Sequence, residues 1–323
     1  MQQDIDRFLE AIHSEQGFSP NTVVAYRNDL NQFMVFIEGA QPIVPDQQDC
    51  DPVAGGGVRS WQELPATCLT DYLRSLHDRP YATSTVARKT AAIKSFFQFL
   101  LRSGLMGEDP SVRMAPPRVD KFPPRAITHG EVDRLLAQPC RTVGERARRP
   151  EALRDRAMLE TLYATGMRAS ELVSLDLADI AFDVGTGSVR CGGQSARERR
   201  VPLRASAVEA IERYLADGRP LLCEREIDAL FLNHRGRRLT RQGFWLILKS
   251  YAVQVEIANV TPQTLRHTFA THAICQGAEL RHVQHLLGHV SISTTQVYRR
   301  LAQSATRSEE GESADRPLVR NAV

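Results

Sequence analysis

Leu286-Leu287-Gly288-His289-Val290-Ser291-Ile292-Ser293-Thr294-Thr295-Gln296-Val297-Tyr298-Arg299 is the stretch on which the reading of this chain turns. A helical pattern stops at Gly288, the residue type that ends helices in the left-handed conformation. A histidine follows, and Ser291 or Ser293 is placed to cap the next helix. That helix carries a tyrosine nine residues after the histidine. A phenol titrates near 10, so it serves as a nucleophile only with positive charge close by. Two arginines upstream stand in turn contexts that could supply that charge, Ala164-Thr165-Gly166-Met167-Arg168 and Gln263-Thr264-Leu265-Arg266-His267.

Working outward, helical spacing predicts an all-helical first segment. Ile5, Phe8, Leu9 and Ile12 recur on one face, then Val23, Val24, Tyr26, Leu30, Phe33, Phe36 and Ile37. Ser19-Pro20-Asn21 reads as a helix start with proline in its first turn. Residues 39–60 break the pattern with Pro42, Pro45, Pro52 and Gly55-Gly56-Gly57, which predicts a flexible surface loop. Periodicity returns at 69–76 and 84–101. Asp109-Pro110, Pro116-Pro117 and Pro123-Pro124 mark an extended linker, because a residue before proline avoids the helical basin.

The second segment opens near Ile127 with Thr128 and Glu131 in capping-box spacing. A long helix is expected over about 151–164, ended by Thr165-Gly166, with another starting near Arg168. Residues 187–203 read as a hairpin whose return strand carries Arg197, Arg199, Val201 and Leu203. Helices are expected at about 206–216, 241–255, 262–275 and 280–287. After Ala302 a polar, mobile tail is expected. The resulting division is 1–115 as a helical domain, 116–126 as a linker, 127–302 as a catalytic domain and 303–323 as the tail.

Bulk properties narrow the class. The 323 residues, 42% hydrophobic, suffice for about two domains with real cores. No apolar run approaches a membrane span, and Met1-Gln2-Gln3-Asp4 does not open a signal peptide, so a cytoplasmic protein is expected. Six scattered cysteines fit reduced thiols. Net charge is only +3, yet arginines cluster at 146–149, 197–200 and 235–241. Such clusters are ordinary on solvated faces, but the planar guanidinium also suits phosphate oxygens.

Phosphodiester cleavage needs a nucleophile, neutralisation of the nonbridging oxygens and a proton for the leaving oxygen. Tyr298 offers the first, Arg168 and Arg266 the second, and His289 a hydrogen bond to the phosphate. Taken singly, each has a plainer explanation: an ion-paired surface arginine, a satisfied histidine, a core tyrosine. The ordered set carries the reading. A zinc site among His267, His272, Cys275, His282, His285 and His289 is the competing reading. It is weakened by Gly288 interrupting the helix and by the lack of a close cysteine pair.

These residues resemble the tyrosine recombinase (phage integrase) family, most closely its bacterial Xer-type members. The matching stretches are Tyr163 to Leu172, Arg197 to Leu203, Leu265 to His272, Leu286 to His289 and Ser293 to Tyr298. Ser19 to Thr22, Tyr26 and Lys94 to Phe97 match in the first segment. The resemblance implies a mainly α fold with a small β-hairpin or sheet. An all-α, SAM-like core-binding domain would precede an α+β catalytic domain. It implies a clamp on double-stranded DNA and a homo- or hetero-tetramer with a related recombinase. It further implies strand exchange through a 3′-phosphotyrosyl intermediate at Tyr298, with Arg168, Arg266 and His289 at the phosphate and with no metal, ATP or other cofactor. Candidate DNA contacts are Arg197, Arg199, Arg241, His267 and Lys94. Dimer resolution of chromosomes or plasmids, or integration of an element, are the implied roles.

Two positions depart from the family pattern. The hairpin lysine expected as general acid falls on Gln194, and the first histidine of the family's His-x-x-Arg falls on Gln263. Glutamine donates a hydrogen bond but neither supplies nor accepts a proton at useful pH. An alternative therefore stands beside the active recombinase: a weakly catalytic binding and synapsis subunit working with an active paralogue. A topoisomerase-like relaxing activity shares the chemistry, though the helical first domain does not favour it.

Overall fold

A computed structural model of the chain describes residues 1–14, 18–39, 60–119, 125–141, 149–183, 186–192, 198–223 and 225–314. The chain divides into two compact units, Met1–Lys121 and Phe122–Val323. The expected loop at 39–60 lies almost wholly outside the described residues, as do Gln194, Arg197 and the middle of the expected linker. No described helix is long and apolar enough to cross a membrane.

The first unit packs α1 (Gln2–Ser14), α2 (Pro20–Ile37), α3 (Ala66–His77) and α4 (Thr83–Arg102). Ile5, Phe8, Leu9 and Ile12 form the buried stripe of α1, as i, i+3, i+4 spacing requires. Ser19 caps α2, accepting from the Thr22 amide at 3.2 Å, with Pro20 in the first turn. Aromatic rings fill the centre. Trp61 meets Phe96 edge-on at 4.8 Å, and its indole N–H donates to Asp4 Oδ2 at 3.2 Å. Asp29, buried on α2, accepts from Lys89 Nζ at 3.0 Å and from Arg88, both on α4. Lys94, the candidate DNA contact of this unit, is half-buried and donates to the Met114 carbonyl at 3.0 Å.

The second unit is built around α6 (Pro150–Thr165), which is buried on nearly every side. Against it lie α5 (His129–Ala137), α7 (Ala169–Ser174), α8 (Ala205–Arg213), α9 (Arg219–Leu222) and α11 (Pro262–Cys275); α10 (Arg241–Gln254) packs on α7, and α12 (Leu280–Leu287) and α13 (Ile292–Ala314) pack on α11 and on each other. Thr128 and Glu131 form the capping box that starts α5. Arg241 is exposed at the first position of α10.

The expected hairpin is part of a three-stranded antiparallel sheet: β1 (Ile180–Asp183), β2 (Thr186–Cys191) and β3 (Arg199–Leu203), in that order. Strand β1 is only four residues long and has no alternating pattern to reveal it. The register pairs Val189 with Val201 and Cys191 with Arg199. Arg199 thus shares the inward face of β3 with Val201 and Leu203. The expected mobile tail is also corrected in part, since α13 runs on to Ala314. Extending a formed helix costs far less than nucleating one, and Gln, Ala, Arg and Glu are good helix formers.

Candidate active site

Two glycine-terminated helices and one arginine make the frame of the site. Helix α6 ends at Gly166, with φ of 60°, and α12 ends at Gly288, with φ of 65°. Both conformations are left-handed, which disfavours any side chain. Arg266, one turn into α11 and 2% exposed, donates from Nη1 to the Gly166 carbonyl and from Nη2 to the Leu287 carbonyl, each at 2.7 Å. One guanidinium therefore ties together two helix C-termini, the ends at which the helix dipole favours a cation. Burial first, and then the nearby Arg168 charge, lowers its pKa to about 10, so it stays protonated at neutral pH.

Gly166 leaves no room for change. A Cβ there would sit 2.2 Å from Cδ1 of Phe269 and 2.9 Å from Leu287. Gly166→Ala is expected to destabilise the unit by about 3 kcal/mol. Roughly 1–2 comes from the left-handed backbone and roughly 1–3 from overpacking. Thermal melting should show a drop on the order of 10 °C, and an unchanged melting temperature would contradict the account.

Arg168 caps α7. Its backbone amide donates to Glu171 Oε2 at 2.7 Å, and its Nη1 reaches Glu171 Oε1 at 3.2 Å, while the side chain remains 40% exposed. Glu171 also accepts two bonds from Arg199, at 3.0 and 3.1 Å, and Arg199 Nε donates to the Leu286 carbonyl at 2.6 Å. Burial alone would raise the Glu171 pKa. The hydrogen bonds from Arg199 and the Arg168 amide, with the charges of both arginines, outweigh it and hold the carboxyl below its usual range. Arg199, expected to face DNA, is 5% exposed and spends its fork on Glu171 and the end of α12. Its guanidinium lies 3.1 Å from where a Cβ on Gly288 would stand, so it braces the turn that carries His289.

The tyrosine lies at the centre of this frame. Tyr298 is 2% exposed, its ring stacks on His289 at 6.2 Å, and its hydroxyl meets His267 Nδ1 at 2.7 Å. His289 Nδ1 in turn meets the buried Thr295 hydroxyl at 3.0 Å. The Tyr298 pKa is raised by burial, partly countered by the Arg266 charge. His267, expected as a DNA contact, is thus engaged with the tyrosine.

The structure therefore brings Arg168, Arg266, His289 and Tyr298 into one cluster. It adds Glu171, Arg199 and Thr295, which sequence reasoning did not single out for this site. For Glu171 the signal was its spacing three residues after Arg168, and for Arg199 its parity with Val201. Gln263 is exposed on the first turn of α11. The remaining histidines disperse: His272 Nδ1 meets the Tyr163 hydroxyl at 2.9 Å and stacks on His129, while His282 and His285 are exposed. Among the described residues no three His, Cys, Asp or Glu side chains are grouped to hold a metal ion.

Three histidines give the unit an acid sensitivity. His267, His272 and His289 are each lowered from 6.5 to about 4, first by burial, then by Arg266 for His267 and His289 and by His129 for His272. Between those two values the unfolded chain takes up protons that the folded chain refuses. Stability from these groups is therefore complete above 6.5 and is lost as pH falls toward 4. The ceiling is about 1.4 kcal/mol per pH unit for each histidine, reduced by solvent around the half-exposed His267 and His289. Melting at about pH 5 is expected at least about 5 °C below that at about pH 7.5. A flat profile would show that these rings stay accessible to protons.

Comparison with known proteins fits this geometry. Residues 125–305 match the phage integrase family, and residues 5–46 and 52–104 match the N-terminal SAM-like domain of phage integrases. The chain is 46% identical to tyrosine recombinase XerC of Herpetosiphon aurantiacus, over 100% of this chain and 98% of that one. It is 42% identical to tyrosine recombinase XerD of Halalkalibacterium halodurans, over 94% and 95%. Among solved structures, XerH site-specific recombinase bound to its difH substrate aligns with a TM-score of 0.65 at 20% identity, over 94% of each chain. The Tn1549 transposon integrase in complex with circular intermediate DNA aligns with 0.68 at 16%, over 91% of this chain and 94% of that one. At such identities the structural matches speak for the fold alone.

Proposed function

The chain belongs to the phage integrase family as a tyrosine site-specific recombinase of the Xer type, and from that premise we propose that it recombines duplex DNA with Tyr298 as the nucleophile. The Tyr298 oxygen attacks the scissile phosphorus and the bond to the 5′-oxygen breaks, leaving a 3′-phosphotyrosyl link and a 5′-hydroxyl. The link conserves the bond energy, so attack by another strand's 5′-hydroxyl reseals the backbone without ATP.

The observation that carries this reading is the placement of Tyr298 and His289 beside Arg266, with Arg168 across the Gly166 turn. Arg266 uses two of a guanidinium's five donors on carbonyls, and Arg168 keeps an exposed fork. Both supply positive charge where the pentavalent phosphate gathers negative charge. His289, neutral and turned by Nδ1 toward Thr295, has Nε2 left to donate to a phosphate oxygen. Partners in this reading are double-stranded DNA and further recombinase subunits, either copies of this chain or a related recombinase. Resolution of chromosome or plasmid dimers is the role that the resemblance to Xer-type recombinases implies, and integration of an element is the alternative.

A nicked suicide duplex carrying a candidate site tests the reading. A covalent protein–DNA adduct mapping to Tyr298 is expected. No adduct, with or without a related recombinase, would leave the binding and synapsis role. DNA affinity should also fall steeply with salt as phosphate contacts release counterions.

A further inference from the structure

We propose that His267 is the general base of this recombinase, holding the Tyr298 hydroxyl and taking its proton as the oxygen attacks phosphorus. The inference rests on the assignment of Tyr298 as nucleophile. It starts from the hydrogen bond of 2.7 Å between His267 Nδ1 and the Tyr298 oxygen, which joins α11 to α13 across 31 residues of sequence.

The chemistry requires a base, and the usual position does not provide one. Gln263 stands where the resemblance places a histidine, and an amide accepts no proton at useful pH. Gln263 is also exposed, whereas His267, one helical turn further along α11, is packed against the tyrosine ring at 5.4 Å. The other histidine at the ring, His289, directs Nδ1 to Thr295. Among the described residues, only His267 is hydrogen-bonded to the tyrosine hydroxyl.

The charge around the pair fits a base that acts late. Burial and then Arg266 lower the His267 pKa to about 4, so the ring is neutral and its nitrogen can accept. Tyr298, raised by burial, keeps its proton at rest. Arg266, Arg168 and Arg199 make up the cationic side of the cluster, His289 beside them is neutral, and Glu171 is the carboxylate that answers the arginines. Arrival of a phosphate adds negative charge, which raises the imidazole pKa. As the oxygen–phosphorus bond forms, the phenolic proton turns strongly acidic and even a weak base removes it. The proton passes from Tyr298 to His267 Nδ1. The electron pair of the breaking bond stays on the 5′-oxygen, which is protonated by water, and His267 returns its proton to solvent. Hydrogen bonding of the phenolic proton to Nδ1 leaves the oxygen lone pairs for phosphorus.

Adduct formation on the nicked duplex tests this with His267→Ala, His267→Asn and Tyr298→Phe. Tyr298→Phe should form none. Both His267 variants should slow the adduct by about 10²-fold, with DNA affinity unchanged, and should lose the fall in rate that wild type shows toward acid pH. Asparagine keeps a hydrogen-bonding group but takes no proton. Rescue by His267→Asn would make His267 a holder and not a base. A rate equal to or above wild type in His267→Ala would overturn both roles. If neither variant folds, wild type alone decides: the rate should fall as pH drops toward the His267 pKa, about 4 before a phosphate arrives, and a rate flat from about pH 7 down to about pH 4 overturns the assignment. No adduct from wild type would instead remove the nucleophile assignment beneath it.

Discussion

Arg266→Ala should abolish most cleavage and visibly loosen the second unit, a double effect that no other single residue of the site is expected to produce. The catalytic part follows from charge. Losing one preorganised donor at a developing oxyanion typically costs about 10²–10³ in rate, and Arg266 also supplies the field that opposes burial in setting the Tyr298 pKa. The structural part follows from its two carbonyl acceptors. The Gly166 and Leu287 oxygens would lose their guanidinium partner, at about 1–3 kcal/mol each where water does not replace it. Both carbonyls close turns that position other members of the site, Arg168 after Gly166 and His289 after Gly288. Melting should therefore fall on the order of 10 °C. Arg266→Lys separates the two parts. It keeps the charge, but one ammonium does not reproduce a planar fork spanning two helix ends, so some stability should return while adduct formation stays low. Adduct formation by Arg266→Ala within tenfold of wild type would contradict the placement.

How much of this is legible before any coordinates depends on the distance over which each signal acts. The capping box at Thr128 and Glu131, the stripe of α1 and the left-handed stops at Gly166 and Gly288 are local, and the sequence states them directly. The inward turn of Arg199 is also legible, because its parity with Val201 and Leu203 fixes its face once β3 is granted. Clustered arginines suggest an outward, DNA-facing strand, and that alternation is the stronger signal. Strand β1 is too short to declare a period, and it exists because β2 offers it an edge. The pairing of His267 with Tyr298 was out of reach. It depends on how α11 and α13 pack, and nothing in Arg266-His267-Thr268 distinguishes a side chain aimed at DNA from one aimed at a phenol. The substitutions Gln194 and Gln263 are the reverse case. They are plain in the sequence, and their consequence is chemical.

That consequence can be measured at the leaving group. Expulsion of a 5′-oxygen needs a proton at or near the bond-breaking step, and Gln194 stands where the family places a lysine. A substrate with sulfur in place of that bridging oxygen removes the need, because a thiol titrates near 8.5 and its thiolate departs unaided. Cleavage of the sulfur substrate is expected to exceed that of ordinary DNA by about 10²–10⁴, the usual worth of a general acid. Gln194→Lys should raise the rate on ordinary DNA and shrink the preference for sulfur. Equal rates on the two substrates in wild type would mean that another group already protonates the 5′-oxygen. The same pair of substrates separates the two ends of the reaction. Sulfur relieves only the departing group, so it should make up for a missing proton donor at position 194 but not for the defect of His267→Ala, which lies at the attacking phenol. An enzyme whose His267→Ala variant regained full speed on sulfur would be using His267 on the leaving side, and the proton path from Tyr298 would have to be drawn through a different residue.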